Sequence, residues 1–428
     1  MLRKIIFAAL LLFLLIGSCI AQENFLHRWN RTITEAMVTD GFSPVLASRT
    51  YVYPNIAAYL ILENQYESLP RLEYILQNRV MFDDSIYYRH LNFELAAITA
   101  FYHVSKQLIY REATCDSLYQ WELKRLAKGD TALWCKSMDA GNYIGKIILQ
   151  WAARDRYAQT KAKPAYIPYT GLQYWKPTPP EYRDALEAYW GTVQPISMDS
   201  SLQFFVMPTI VFDTARSSAF YKQAKEVYDI TAHLTPAQKA IALFWDDNPD
   251  LNTFVGHVPT PRRYLSPPAH WMNIVAQITR LRHSDIATTA QAMTYTAIVM
   301  EDSKIAVWEA KYMINLIRPV TYIRSYIATD WMPLLVTPPF PEYPSGHSAC
   351  SMSAAVVLTH LFGDTLSFTD SSLVQYHIAP RHFTSFIQAA DEVSESRIYG
   401  GIHYRSGVVV GREMGRKIGT HFIKKLKK

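Results

Sequence analysis

Glycine is scarce in this 428-residue chain, at 16 residues, and cysteine scarcer, at 4. Few glycines beside long stretches of helical spacing indicate a mainly α-helical chain. No CxxC pair and no zinc-type cysteine spacing occurs, which sets aside a structural zinc module. Beyond residue 21 no apolar run is long enough to span a bilayer, so no transmembrane segment is expected in the mature chain. Basic stripes interleaved with aromatics are missing too, and so is any nucleic-acid motif. The formal net charge is only +6, and much of the excess sits in the tail Lys424-Lys425-Leu426-Lys427-Lys428. Basic residues at a helix C-terminus are ordinary partners of the helix dipole.

Hydrophobic residues make up 49% of the chain, enough for a substantial core, with 28 Tyr and 10 Trp suited to interhelical seams and clefts. The first 21 residues stand apart. Arg3 and Lys4 precede an apolar run, Ile5 to Ile16, and then small residues, the pattern of an export leader. Cleavage after Ala21 would release a soluble protein; cleavage before Cys19, after Ile16-Gly17-Ser18, would leave that cysteine as a lipid anchor. Either way the chain reads as exported, periplasmic or secreted. Of the remaining cysteines, an exported protein could pair Cys115 with Cys135, leaving Cys350 as a buried thiol.

In order, residues 25–62 read as two helices broken at Phe42-Ser43-Pro44. Further helices are expected over Phe93–Leu108, Leu118–Leu126 and Ala140–Ala152. Residues 156–210, rich in Pro, Tyr and Trp, read as a long ordered surface loop. A helix from Thr235 stops at Asp246-Asp247-Asn248-Pro249. Pro267-Pro268 starts another, to about Leu281, and a long helical segment follows over 287–316. By spacing alone, Asp246 and Asp247 read as solvated turn residues and His270 as a packed histidine.

Three clusters in the last third carry chemistry. Lys311 and Arg318 are seven apart, which on one helix places them on one face, with Pro319 as its stop. Pro338 to Cys350 is a proline-stiffened run ending at Ser345-Gly346-His347, where a helix begins. Free N–H groups and the dipole there favour an anion. Arg397 precedes His403 by six residues, with Gly400-Gly401 allowing a tight turn between them. Singly, each cluster also reads as surface charge or helix punctuation. Together they offer three cations, a hydroxyl, a backbone donor and two histidines, a set suited to a multiply charged oxyanion.

The order Lys-x6-Arg-Pro, Pro-Ser-Gly-His, Ser-Arg-x5-His resembles the signature of the type 2 phosphatidic acid phosphatase and vanadium-dependent haloperoxidase superfamily. Phe244-Trp245 and Pro267-Pro268-Ala269-His270-Trp271 look like its haloperoxidase branch. The resemblance implies an all-α fold of packed helical bundles, with residues 22–285 as an N-terminal helical region and 286–428 as the core domain. It implies that Lys311, Arg318 and Arg397 bind vanadate oxygens, that Ser345 and the Gly346 N–H complete the cradle, that His403 ligates vanadium, and that His347 is the acid–base histidine. Asp247, or else Asp246, would pair with Arg397, while Trp308 and Phe340 would border the halide site. Phosphatase members carry an Asp four residues after the last His; here that position is Gly407, which weighs modestly against a phosphohistidine route. The implied activity is halide oxidation by hydrogen peroxide at histidine-bound vanadate, with an organic acceptor. The alternative is an exported acid phosphatase that takes phosphate in the same cage. A non-catalytic oxyanion-binding protein is a third reading, set against the retention of both histidines.

Overall fold

The computed structural model describes residues 23–427 apart from 78–89, 128–129, 250–251, 256–257 and 262. The expected leader and Cys19 lie outside the described residues. Among those described the regular structure is mostly helix, with two short hairpins and a long loop. The first half supplies α1 (Phe25–Asp40), α2 (Pro44–Leu62), α3 (Phe93–Lys106), α4 (Glu112–Leu126), α5 (Thr131–Ala152) and a short α6 (Tyr157–Lys161). After a long loop come α7 (Ala219–Ala232), α8 (Pro236–Phe244), the hairpin β1 (Asn252–Val255) and β2 (Val258–Pro261), and α9 (Pro267–Leu281). The last part comprises α10 (Ile286–Ile314), α11 (Pro319–Tyr326), α12 (Gly346–Phe362), the hairpin β3 (Phe368–Asp370) and β4 (Arg381–Phe383), α13 (Phe386–Tyr399) and α14 (Arg405–Leu426).

Helix starts follow the capping chemistry. Asn24, Ser43, Asn92, Asp130, Ser218, Thr235, Ser266, Asp285, Ser345 and Ser385 each accept a backbone N–H at a helix N-terminus. The break at Phe42-Ser43-Pro44 lies where expected. Helices α4 and α5 begin earlier than their apolar spacing alone suggested, and α7, with Phe220, Ala224 and Val227 on its buried face, was not foreseen. The loop over 156–210 is ordered, interrupted only by α6 and a 3-10 turn at Trp190–Thr192.

Helix α10 is the axis. It packs against α2, α9, α12 and α14, and its residues from Ala292 to Trp308 are buried on every side. Helices α12 and α14 make the most extensive contact of any helix pair among the described residues. Their approach depends on Gly411 and Gly415, where an added Cβ would lie 2.4 Å from the Ser345 carbonyl oxygen and 2.2 Å from that of Ala349. This contact seats the start of α12 against α14 and so fixes where Ser345 and Gly346 lie.

Two expectations need correction. Cys115 and Cys135 are both free: Cys115 is buried beside Ser105 Oγ at 3.6 Å, while Cys135 faces outward from α5. Lys311 and Arg318 do not share a helix face. Helix α10 ends at Ile314, Asn315 turns left-handed with φ 55°, and Arg318 becomes the residue before Pro319, the first residue of α11. Proline fits a helix's first turn as well as it stops a helix.

Candidate active site

The end of α10, the 338–347 run, the start of α12, and the α13–α14 turn converge on one buried point. Lys311, Arg318, Arg397, Ser345, Gly346, His347 and His403 are all buried. Lys311 Nζ donates to the carbonyls of Pro341 and Glu342, both at 2.8 Å. Arg318 donates from Nε to the Phe340 carbonyl at 2.8 Å, and from one terminal nitrogen to the Ile402 carbonyl at 2.8 Å. That same nitrogen lies 3.2 Å from His403 Nε2. Arg397 donates to the carbonyls of Trp245 and Asp246 and to Ser396 Oγ. Phe340 lies between Lys311 and Arg318, 5.1 and 5.0 Å from its ring centre, and packs on Trp308 at 4.9 Å.

These cations crowd one another in a dry place. Burial, followed by Arg318, pushes Lys311 well below its usual pKa; burial also brings Arg318 and Arg397 down to about 10. Both histidines are driven well below 6.5, first by burial and then by Arg397 beside His347 and Arg318 beside His403. Neutral histidines among fixed cations leave imidazole lone pairs available at neutral pH.

Second nitrogens tell where a ligand belongs. The remaining terminal nitrogen of Arg318 and Nε2 of His347 are buried without a hydrogen-bond partner. An oxyanion would satisfy the Arg318 donor and relieve the mutual repulsion of the cations, while the neutral His347 offers the Nε2 lone pair to a hydroxyl on that anion. Among the described residues no group of three or more His, Cys, Asp and Glu could hold a metal cation. The donor set, buried cations beside two neutral imidazoles, fits an oxyanion.

Asp247 does not pair with Arg397. Its carboxylate is taken by His270 Nδ1 at 2.8 and 3.0 Å, and His270 Nε2 faces Asp370 at 2.8 Å. Arg397 is gripped by backbone carbonyls, and Asp246 and then Asp247 add their negative charge nearby. All three acids and His270 are buried, so Asp246 and Asp247 are not solvated turn residues. Burial opposes the His270 charge, but Asp247 and Asp370 outweigh it and raise the imidazole to about 10. His270 thus ties the 245–248 turn to α9 and β3, and that turn grips Arg397 and hydrogen-bonds His347 through Asp246.

Sequence reasoning missed three residues besides His270. Glu342 Oε1 lies 2.7 Å from His403 Nδ1 and accepts the Tyr404 N–H at 3.1 Å. Burial raises this carboxyl to about 7, against the pull of Lys311 and Arg318. An acid inside a Pro-Phe-Pro-Glu-Tyr-Pro run was the available signal. Lys304, two turns before Lys311, is buried near the Trp308 ring at 5.9 Å and adds to the field that lowers His347. Asp370 offered no signal. Because Glu342 supplies a carboxylate to His403, Gly407 no longer weighs against a phosphohistidine route.

A mostly helical frame with a buried, cation-lined oxyanion cage and two neutral histidines defines an oxyanion-dependent enzyme of the phosphatase and haloperoxidase type. Over 94% of its length the chain is 39% identical to a bacterial vanadium-dependent iodoperoxidase, covering 95% of that structure with a TM-score of 0.85. The chain belongs to the vanadium-dependent haloperoxidase family. Residues 291–428 match the family described as the VCPO second helical-bundle domain. A bacterial vanadium-dependent chloroperoxidase shares the fold, with a TM-score of 0.69 at 16% identity over 95% of this chain and 98% of that one. A search of curated proteins found no match.

Proposed function

We propose that this haloperoxidase binds vanadate in the cage around His403 and uses hydrogen peroxide to oxidise iodide. The observation that carries the reading is the set of buried, mutually repelling cations beside two unpartnered ring and guanidinium nitrogens. Lys311, Arg318 and Arg397 would hold vanadate oxygens, Ser345 Oγ and the Gly346 N–H would close the cradle, and His403 Nε2 would be the ligand. Gly346 is the first residue of α12, and a helix start with its unpaired amides favours an anion. Vanadate, when bound, supplies a Lewis-acid centre that activates peroxide without a change of oxidation state.

The chain's residues do the rest. Held neutral by burial, Arg397 and Lys304, His347 accepts the proton of incoming peroxide and returns one later. Lys311 and Arg318 keep a positive field at the reacting oxygens. Phe340 and Trp308 form an apolar wall beside them where halide can approach. Iodide is assigned because the relative at 39% identity is an iodoperoxidase. Export rests on the leader pattern at residues 1–21, with cleavage after Ala21 set against lipidation at Cys19; the mass of the mature N-terminus distinguishes the two. No helix among the described residues is long and apolar enough to cross a membrane. The function is tested by giving vanadate-loaded protein peroxide with iodide, bromide or chloride. Iodide turnover exceeding the other two is expected, and turnover of bromide above iodide would overturn the halide assignment.

A further inference from the structure

Two neighbours of His403 make opposite demands on its two nitrogens, and one tautomer satisfies both. Glu342 Oε1, already accepting the Tyr404 N–H, lies 2.7 Å from Nδ1 and needs a hydrogen there. The Arg318 nitrogen 3.2 Å from Nε2 can only donate, so Nε2 must offer its lone pair. The Glu342 backbone is itself held, with its carbonyl on Lys311 Nζ and its N–H on the Leu316 carbonyl at 3.0 Å. Lys311 therefore helps aim the carboxylate.

Gly407 provides the room. A Cβ there would lie 2.4 Å from Glu342 Oε1, 2.8 Å from Oε2 and 3.0 Å from the carboxyl carbon, and these are its three nearest neighbours. A carboxylate can enter this volume from position 342 or from position 407, but not from both.

We propose that Glu342 is the positioning residue of the oxyanion site: it fixes the His403 tautomer and ring direction, and Gly407 is glycine because Glu342 occupies the space of its side chain. This rests on the vanadate reading for its consequence, though not for its geometry. Carboxylates behind a ligating histidine orient the ring and raise its basicity, and losing one commonly weakens metal binding about 10- to 100-fold.

The test compares wild type, Glu342→Ala, Glu342→Gln, Gly407→Asp and the Glu342→Ala/Gly407→Asp double variant. Two quantities are read: histidine nitrogen chemical shifts without vanadate, and vanadate affinity by equilibrium dialysis. Wild type should show His403 protonated at Nδ1. Glu342→Ala should lose that preference and bind vanadate about 10- to 100-fold more weakly. Glu342→Gln, which keeps the acceptor but not the charge, should keep the tautomer and fall between. Gly407→Asp alone should weaken binding, whereas the double variant should regain the tautomer and at least tenfold in affinity. A Glu342→Ala protein with wild-type nitrogen shifts, or a folded double variant that recovers neither quantity, would overturn the proposal. If wild type binds no vanadate, the functional reading falls, while the nitrogen shifts still decide the role of Glu342. Should the double variant not fold, Glu342→Ala against Glu342→Gln decides it.

Discussion

Replacing His270 by Gln removes the one cation between two buried carboxylates. Asp247 and Asp370 flank the imidazole at 2.8 Å each, all three groups essentially without solvent. Removing one partner from such an arrangement costs on the order of 3–5 kcal/mol. The rise of the His270 pKa from 6.5 to about 10 is of the same order, at roughly 1.4 kcal/mol per pH unit. Because the folded value lies above the unfolded one, this stability is fully present below about pH 6.5 and is lost as pH rises through about 10. Urea unfolding at pH 6, 8 and 10, followed by circular dichroism, measures it. The gap between wild type and His270→Gln should be several kcal/mol at pH 6 and should close toward pH 10. A gap below about 1 kcal/mol at pH 6, or one unchanged across the range, refutes the ion-pair reasoning. The variant should also bind vanadate more weakly, since the turn gripping Arg397 is freed.

Other substitutions separate binding from turnover. His347→Ala should keep vanadate affinity within about tenfold yet lower iodide oxidation about 10²- to 10⁴-fold, as expected for a lost acid–base group; dialysis and steady-state rates on one preparation check this. Arg397→Ala should weaken vanadate binding by about 2–5 kcal/mol, read by dialysis, because the buried anion loses one of its three cations. Phosphate should raise the melting temperature of the vanadate-free protein and compete with vanadate, since any anion that binds only the folded cage stabilises it; calorimetry measures the shift. Gly415→Ala should cost about 1–3 kcal/mol in urea unfolding, because its Cβ would meet the Ala349 carbonyl at 2.2 Å.

Much of the fold could be read from local signals. The break before Pro44, the start at Pro267-Pro268 and the Ser345 cap are short-range chemistry, and all three stand in the structure. The tripartite order of Lys311, Arg318, Ser345-Gly346-His347, Arg397 and His403 was likewise visible, and the fold brings these residues together. Long-range pairing was not. Nothing in the spacing joins Asp247 to His270 and Asp370, which lie 23 and 100 positions from His270. Glu342 was hidden because an acid in a proline-rich run reads as solvated spacer, and only the approach of α14 makes it a partner of His403. Arg318 was misplaced for a physical reason. Pro319 can end one helix or begin the next, and the left-handed turn at Asn315 decides which.

The central claim is that the cage holds vanadate and that the bound oxyanion makes the protein a peroxide-dependent iodide oxidase. Metal-stripped protein titrated with vanadate, in peroxide and iodide, with phosphate-ester hydrolysis followed beside it, measures this most directly. Iodide oxidation should rise from background, saturate at one vanadate per chain, and be absent from His403→Ala at the same vanadate concentration. Hydrolysis of the ester with no vanadate-dependent iodide oxidation would contradict the account.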